Sequence, residues 1–314
     1  MDSKMKLVRE MEMNMEEIEQ ISVKYRSEDI IFYPSPNDMF LFKEYMNIND
    51  EKYYSKILKE GNSIQIETCE LQIETRERDK SFLSLLVLDF NVLLEIYVPK
   101  EFHGVIRTEG TNGDMRSKLK QEFSAFYAKA TSGDIKIDLI TAKDIDLQVS
   151  SGDIKVKQIE GNMMVSASSG DINITELNGT GCVKVSSGDI RIGVAQAQEN
   201  LTFSASSGSI NIEELNGTGC VKTSSGALKV ILGKVKGAIE IHSTSGSLSL
   251  GIPKNLNATL TASIGSGVFH KNFDSKLVKT IDKTPKRQVM IFGNGEEANI
   301  EVSATSGTMN IYQK

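Results

Sequence analysis

The sequence predicts an all-β chain wound as a parallel β-helix, a β-solenoid expected to be right-handed, with coils of about 18–20 residues. Three observations predict it. A Ser/Thr-Ser-Gly-Asp-Ile motif recurs at 131–135, 150–154, 168–172 and 186–190. Apolar residues alternate with polar ones on both sides of it, as in Ile172 and Ile174 after the motif and Val183 and Val185 before the next. A longer block, GNMMVSASSGDINITELNGTGCVKVSSG at 161–188, returns as ENLTFSASSGSINIEELNGTGCVKTSSG at 199–226.

The motif reads as a corner. Its glycine recurs as Gly113, Gly133, Gly152, Gly170, Gly188, Gly208, Gly226, Gly246, Gly267 and Gly307. Glycine suits a bend that needs positive φ or leaves no room for a Cβ. Period-2 alternation on either side implies two short strands per coil. The Leu-Asn-Gly-Thr-Gly runs at 177–181 and 215–219 mark the second bend. Each coil then turns about five apolar side chains inward, for example Ile172, Ile174, Leu177, Val183 and Val185. That is on the order of 10 kcal/mol gross against a similar ordering cost, so a coil is stable only when stacked.

In chain order, residues 1–17 are expected to cap the first coil. Met11, Met15 and Ile18 fit a helix face there, and Met11, Met13 and Met15 fit a strand. Residues 18–105 read as irregular β coils: Ser27-Glu28-Asp29-Ile30 resembles a worn corner, and 39–46, 62–69 and 91–98 alternate like strands. The apolar stretch at 82–98 is broken by Ser84, Asp89, Asn91 and Glu95 and reads as buried strands. Residues 106–314 are the regular solenoid, with an irregular insertion near 251–298 before the final coil ANIEVSATSGTMNIYQ.

Composition narrows the function classes. The chain of 314 residues has net charge −6, which disfavours nucleic acid or anionic lipid as a partner, and it has no Trp. The first twenty residues are charged throughout and lack a signal-peptide core, and no run reaches the length of a membrane span. The location expected from the absence of a signal peptide is the cytoplasm, with no integral membrane segment. Cys182 and Cys220 fall in one column two coils apart, about 10 Å, too far for a disulfide, so free thiols are expected.

The strongest site candidate is the column after the corner glycine: Asp114, Asp134, Asp153, Asp171 and Asp189, then Ser209, Ala227 and Ser247. Two residues on stand Arg116, Lys136, Lys155, Asn173 and Arg191. Acidic and basic rails are thus expected to run side by side and neutralise each other. The preferred reading of the Asp column is a turn residue satisfied by backbone N–H groups. A Ca²⁺-binding row, giving a cation-stabilised adhesive rod, is a weaker reading, because calcium β-roll repeats are shorter and richer in Gly and Asp.

The three histidines are scattered, and no GxSxG, HExxH or P-loop occurs. No catalytic residue, cofactor or metal site is expected. A parallel β-helix enzyme acting on a polysaccharide is the serious alternative, disfavoured by short coils and few aromatics within the repeats. The candidate binding face is therefore Asp134, Asp153, Asp171, Asp189, Lys136, Lys155 and Arg191. The structural turns are Gly133, Gly152, Gly170, Gly188, Gly208, Gly226, Gly246 and Gly307.

The repeated [ST]-S-G-D-I motif, the opening IYVPKEF at 96–102 and the closing GNGEEANIEVSATSGTMNIYQ, in that order, resemble a bacterial domain-of-unknown-function family labelled "putative adhesin". The resemblance runs from about residue 18 to the end. It implies a parallel β-helix and a non-catalytic scaffold or binding role in adhesion or envelope stress. It also implies surface association, with a protein or envelope component as partner. It carries over no catalytic residue. Many members bear a signal peptide or membrane anchor, and this sequence shows neither.

Overall fold

The computed structural model describes residues 5–69, 91–273, 278–284 and 286–314. The apolar segment 82–90 and Pro285 lie outside the described residues. All regular structure described is β apart from one short 3₁₀ turn at Glu51–Tyr53. The N-terminal strands are β1 (Lys6–Met13), β2 (Gln20–Tyr25), β3 (Asp29–Pro34), β4 (Phe40–Met46), β5 (Lys56–Glu60), β6 (Ser63–Glu67) and β7 (Val92–Val98). Next come β8 (Val105–Gly110), β9 (Met115–Ser117) and β10 (Glu122–Ala130). The long strands are β11 (Ile135–Val149), β12 (Ile154–Ala167), β13 (Ile172–Val185), β14 (Ile190–Ala205), β15 (Ile210–Ser225) and β16 (Leu228–Ile252). The last are β17 (Ala258–Asn272), β18 (Val278–Lys283), β19 (Arg287–Phe292) and β20 (Ala298–Gln313).

The body is a parallel β-solenoid. A coil leaves the Ser-Gly-Asp corner as a first leg, bends, and returns as a second leg. The second bend does not interrupt the ladder: β12 pairs with β13 in parallel from Ile154↔Ile172 through Gly161↔Gly179 to Ala167↔Val185. Gly179 has φ 139°, and a Cβ there would strike the Gly161 carbonyl oxygen. The bend is thus a glycine kink in a continuous strand, not a loop.

Identical register stacks like on like. Ile135, Ile154, Ile172, Ile190 and Ile210, then Leu228, Leu248 and Met309, form one inward column no more than 1% exposed. The inward set of one coil, Ile172, Ile174, Leu177, Val183 and Val185, is buried throughout. β-Branched side chains fit these extended legs because their stiff χ1 suits a pleated, packed surface.

Both ends depart from chain order in the same way. At the N-terminal end, β2 lies between β6 and β8, and β3 between β7 and β9, all parallel. The chain's first coil is thus sandwiched between later ones. At the C-terminal end, β20 lies between β16 and β17, pairing Gly246↔Gly307 and Gly267↔Gly307. The final coil of the sequence is therefore not the last coil of the rod. β17, from the stretch read as an irregular insertion, runs in register beyond it from Ala258↔Ala298 to Asn272↔Tyr312.

Beyond these coils the strands turn antiparallel. β4 pairs with β7 and β1 with β4; β5 pairs with β6; β19 pairs with β17 and β18 with β19. The N-terminal segment left open between helix and strand is the strand β1.

Candidate functional site

The two reasons expected for glycine at the corner separate along the rod. Gly133, Gly152, Gly170, Gly188 and Gly208 do not have positive φ. Each lies so close to the coil before it that a Cβ would run into the preceding corner's carbonyl oxygen, as Gly170 into that of Gly152. Gly226, Gly246, Gly267 and Gly307 meet the same obstruction and also sit at φ between 117° and 128°. Glu28 holds the corresponding position at the worn corner, and Gly113 packs on its carbonyl. The Glu28 side chain folds back to accept the N–H groups of Arg26 and Ser27 at 2.6 and 2.9 Å.

The aspartates form a ladder of backbone contacts. Oδ1 of each accepts the N–H of its counterpart in the next coil. Asp29 accepts from Asp114, Asp114 from Asp134, Asp134 from Asp153, Asp153 from Asp171, and Asp171 from Asp189, all at 2.9–3.0 Å. Asp189 accepts from Ser209 at 2.9 Å. Where the column turns to serine the contact loosens: Ser209 Oγ accepts the Ala227 N–H at 3.3 Å. Asp29 is a rung the sequence reading placed in a corner but not in the rail.

The second carboxylate oxygen meets the basic rail. Lys136 spans Asp114 and Asp134 at 3.2 and 2.9 Å. Lys155 reaches Asp153 at 2.9 Å. Arg191 spans Asp171 and Asp189 at 2.6 Å each, which covers the coil where Asn173 supplies no charge. Burial pushes the Asp134 carboxyl up, but the Asp153 N–H and Lys136 outweigh it and hold the group below its ordinary value. The Asp189 N–H, against burial and aided by Arg191, holds Asp171 down likewise.

A carboxyl held low in the folded state contributes stability above its unfolded value, about 3.9, and loses it as pH falls through the folded value. The protein is therefore expected to lose stability below about pH 4. Asp134→Asn with Asp171→Asn should be less stable than wild type at pH 6, and the gap should be narrower at pH 3. Thermal melts at the two pH values check this; a constant difference would show that the pair does not couple to folding through its charge.

At the opposite bend, columns of amides and carboxylates line a shallow groove along the rod, including Gln158, Glu160, Glu176, Asn178, Gln196 and Asn216. They bond from coil to coil: Gln158 donates to Glu176 at 2.7 Å and Asn178 to Glu160 at 3.0 Å. The sequence reading missed this groove; aligning the coils on Gly161 and Gly179 brings the columns out. It also left unplaced the N-terminal tyrosines. Tyr33 and Tyr97 stack at 5.2 Å on the outer face of the first legs. Lys118 stands 4.8 Å over Tyr33 and Lys43 5.7 Å over Tyr97, so the ring faces are already covered.

His103 contacts the Glu122 carbonyl and His242 the Ser303 hydroxyl. No cluster of three or more His, Cys, Asp or Glu side chains suited to a metal ion occurs among the described residues. Cys182 and Cys220 are free thiols two coils apart, separated by Thr202, and burial pushes both thiols up. The corner aspartates are hydrogen-bonded or paired on both oxygens where the rail is complete, an arrangement suited to holding a turn rather than to moving protons.

A family model described as Toastrack DUF4097 matches residues 18–216 and 204–312. No curated protein matches the chain. Among solved structures, one described as a "putative cell adhesion protein" from Clostridium sporogenes is similar. It shows 9% identity and a TM-score of 0.32, covering 99% of this chain and 100% of that one.

Proposed function

The chain belongs to the Toastrack DUF4097 family, and on that premise we propose that it is a non-catalytic β-solenoid scaffold that binds an extended partner along its length. The observation that supports this reading is the repetition of one rung. Asp134, Asp153, Asp171 and Asp189 with Lys136, Lys155 and Arg191 stand on one edge of successive coils, each pair bonded within or across coils. Groups repeated at a fixed spacing of about 4.8 Å suit a partner that is itself extended. Their carboxylates cap the neighbouring coil, so recognition falls to the cationic ends and the flat face beside them. The setting we propose, adhesion or stress response at the bacterial envelope, rests on the resemblance of the repeat motifs. Among the described residues no helix is long and apolar enough to cross a membrane.

The test is capture of a partner from solubilised bacterial envelope on immobilised wild-type protein. The comparison is a variant carrying Lys136→Glu, Lys155→Glu and Arg191→Glu, with Asp134, Asp153, Asp171 and Asp189 changed to Asn. Binding should weaken stepwise as the reversals accumulate, with no single one abolishing it. Capture indifferent to the full set would place the working surface elsewhere. A polysaccharide cleaved by wild type and spared by one point variant would replace the scaffold reading with an enzyme.

A further inference from the structure

The groove at the second bend takes no part in the corner rails. Two columns of side chains border it along the rod. Leu139, Gln158, Glu176, Val194 and Glu214 are register partners in one column, and Glu160, Asn178, Gln196 and Asn216 in the other. Two adjoining hollows of about 440 and 430 Å³ lie there and share Asn178 and Gln196. Together they reach from Leu139 on β11 to Lys234 on β16, five coil spacings or about 24 Å.

Contacts between neighbouring side chains hold the lining in place. Gln158 donates to Glu176 at 2.7 Å, Asn178 to Glu160 at 3.0 Å, Gln198 to Asn178 at 3.2 Å and Asn216 to Glu214 at 2.9 Å. Side chains ordered in this way lose little further freedom when a ligand arrives. Binding capacity remains after these bonds are made. Glu160 Oε2, Glu176 Oε1 and the whole Gln196 amide have no protein partner among the described residues. An amide offers a donor and an acceptor side by side, which matches a hydroxyl group that does both.

Charge and spacing select the occupant. The lining holds Glu160, Glu176 and Glu214 against Lys234. That balance repels a polyanion, so nucleic acid and phosphate-bearing polymers do not fit. An extended peptide advances about 3.3 Å per residue and falls out of step with columns spaced about 4.8 Å. A pyranose ring in an extended β-1,4-linked chain advances by close to one coil spacing, so successive sugars meet the same two columns. Leu139 and Val194, both half-buried, interrupt the polar column and offer apolar contact to the C–H faces of the rings.

We propose that this groove binds a neutral β-1,4-linked glycan strand lying along the rod, one sugar to a coil, with the amides and carboxylates taking its hydroxyl groups. The site is separate from the corner rails, and neither reading depends on the other.

The experiment is co-sedimentation of the full chain with insoluble chitin, cellulose and starch, followed by calorimetric titration with chito- and cello-oligosaccharides from dimer to hexamer. The protein should pellet with at least one of the β-1,4-linked polymers and not with starch, whose α-linkages coil the chain. Affinity for the matching oligosaccharides should rise with each added sugar and level off near about five units, the span of the groove. Asn178→Ala with Gln196→Ala should bind the hexamer at least tenfold more weakly and melt as wild type does. If that variant melts well below wild type, Gln158→Ala with Glu176→Ala takes its place, both at exposed positions. The corner variant with reversed Lys136, Lys155 and Arg191 should bind the glycan as wild type does. No binding to either β-linked polymer, equal binding to starch, affinity independent of length, or groove variants that bind like wild type would each overturn the proposal. So would a groove that ignores the glycans and takes an oligolysine peptide, which would assign it to cationic peptides.

Discussion

Gly170→Val lowers stability by roughly 3 kcal/mol or more, while Asp171→Ser next to it costs roughly 1 kcal/mol or less. The valine must place a Cβ where the Gly152 carbonyl oxygen already sits. That oxygen belongs to a backbone ladder, so relief requires the two coils to part. Solenoid stability resides largely in coil–coil interfaces, and one lost interface weakens coupling across the whole rod. Asp171→Ser removes one carboxylate acceptor for the Asp189 N–H and half of the Arg191 contact. Serine retains a weaker version of the first, as Ser209 does for Ala227, and exposed ion pairs contribute little.

Gly61→Ala is the control for conformation without crowding. Its φ is 57° and a Cβ there meets nothing within 4 Å, so a cost near 1–2 kcal/mol is expected. Denaturant melts of the three variants rank crowding, strain and capping directly. A larger loss for Asp171→Ser than for Gly170→Val would show that the motif is a site and not a bend.

Removing residues 298–314 should unfold the rod from β16 to β19 while leaving the coils up to β15 folded. A terminal coil in an ordinary solenoid has one neighbour and frays. β20 has two, β16 on one side and β17 on the other, and its loss leaves a gap one strand wide that those strands cannot close without moving as bodies. Ile300, Val302 and Ile311 would leave a hole in the core as well. In the intact chain, the amides of β20 should exchange with solvent as slowly as those of β15. They should be at least ~100-fold slower than those of β18, which has one described neighbour. Exchange of β20 at the rate of a frayed terminus, or continued protection of β17 after truncation, would show that the inserted strand is not holding the end together.

Much of the corner was legible before any coordinates. Ten corner glycines superpose the coils on one another, and the alternation around Ile172 and Val183 assigns each residue to the inside or the outside. The acid and base columns followed from the same superposition, two residues apart. Three features did not follow. The φ split between Gly208 and Gly226 is invisible because both read as glycine after serine. The amide groove keeps a fixed offset from the corner glycine, eight residues on at Glu160, Asn178, Gln196 and Asn216, but its residue type changes from coil to coil, so no repeated motif marks it. The Tyr33–Tyr97 stack joins residues 64 apart, brought together only because β3 lies beside β7.

The sequence by itself determined the coil, its corner and its inward face. Side chains carry that information: period-2 alternation selects the face, and a repeated glycine selects the only residue whose backbone can pack so closely on the coil before it. The order of coils at the two ends was decided only in the tertiary structure. Strand neighbours in a parallel ladder are joined by backbone N–H and C=O groups, which are the same in every residue and carry no record of chain position. β20 between β16 and β17, and β2 and β3 between later coils, satisfy those groups as fully as sequential stacking does. Which strand lies beside which at the ends is therefore settled by side-chain packing between segments far apart in the chain, with no repeat to announce it.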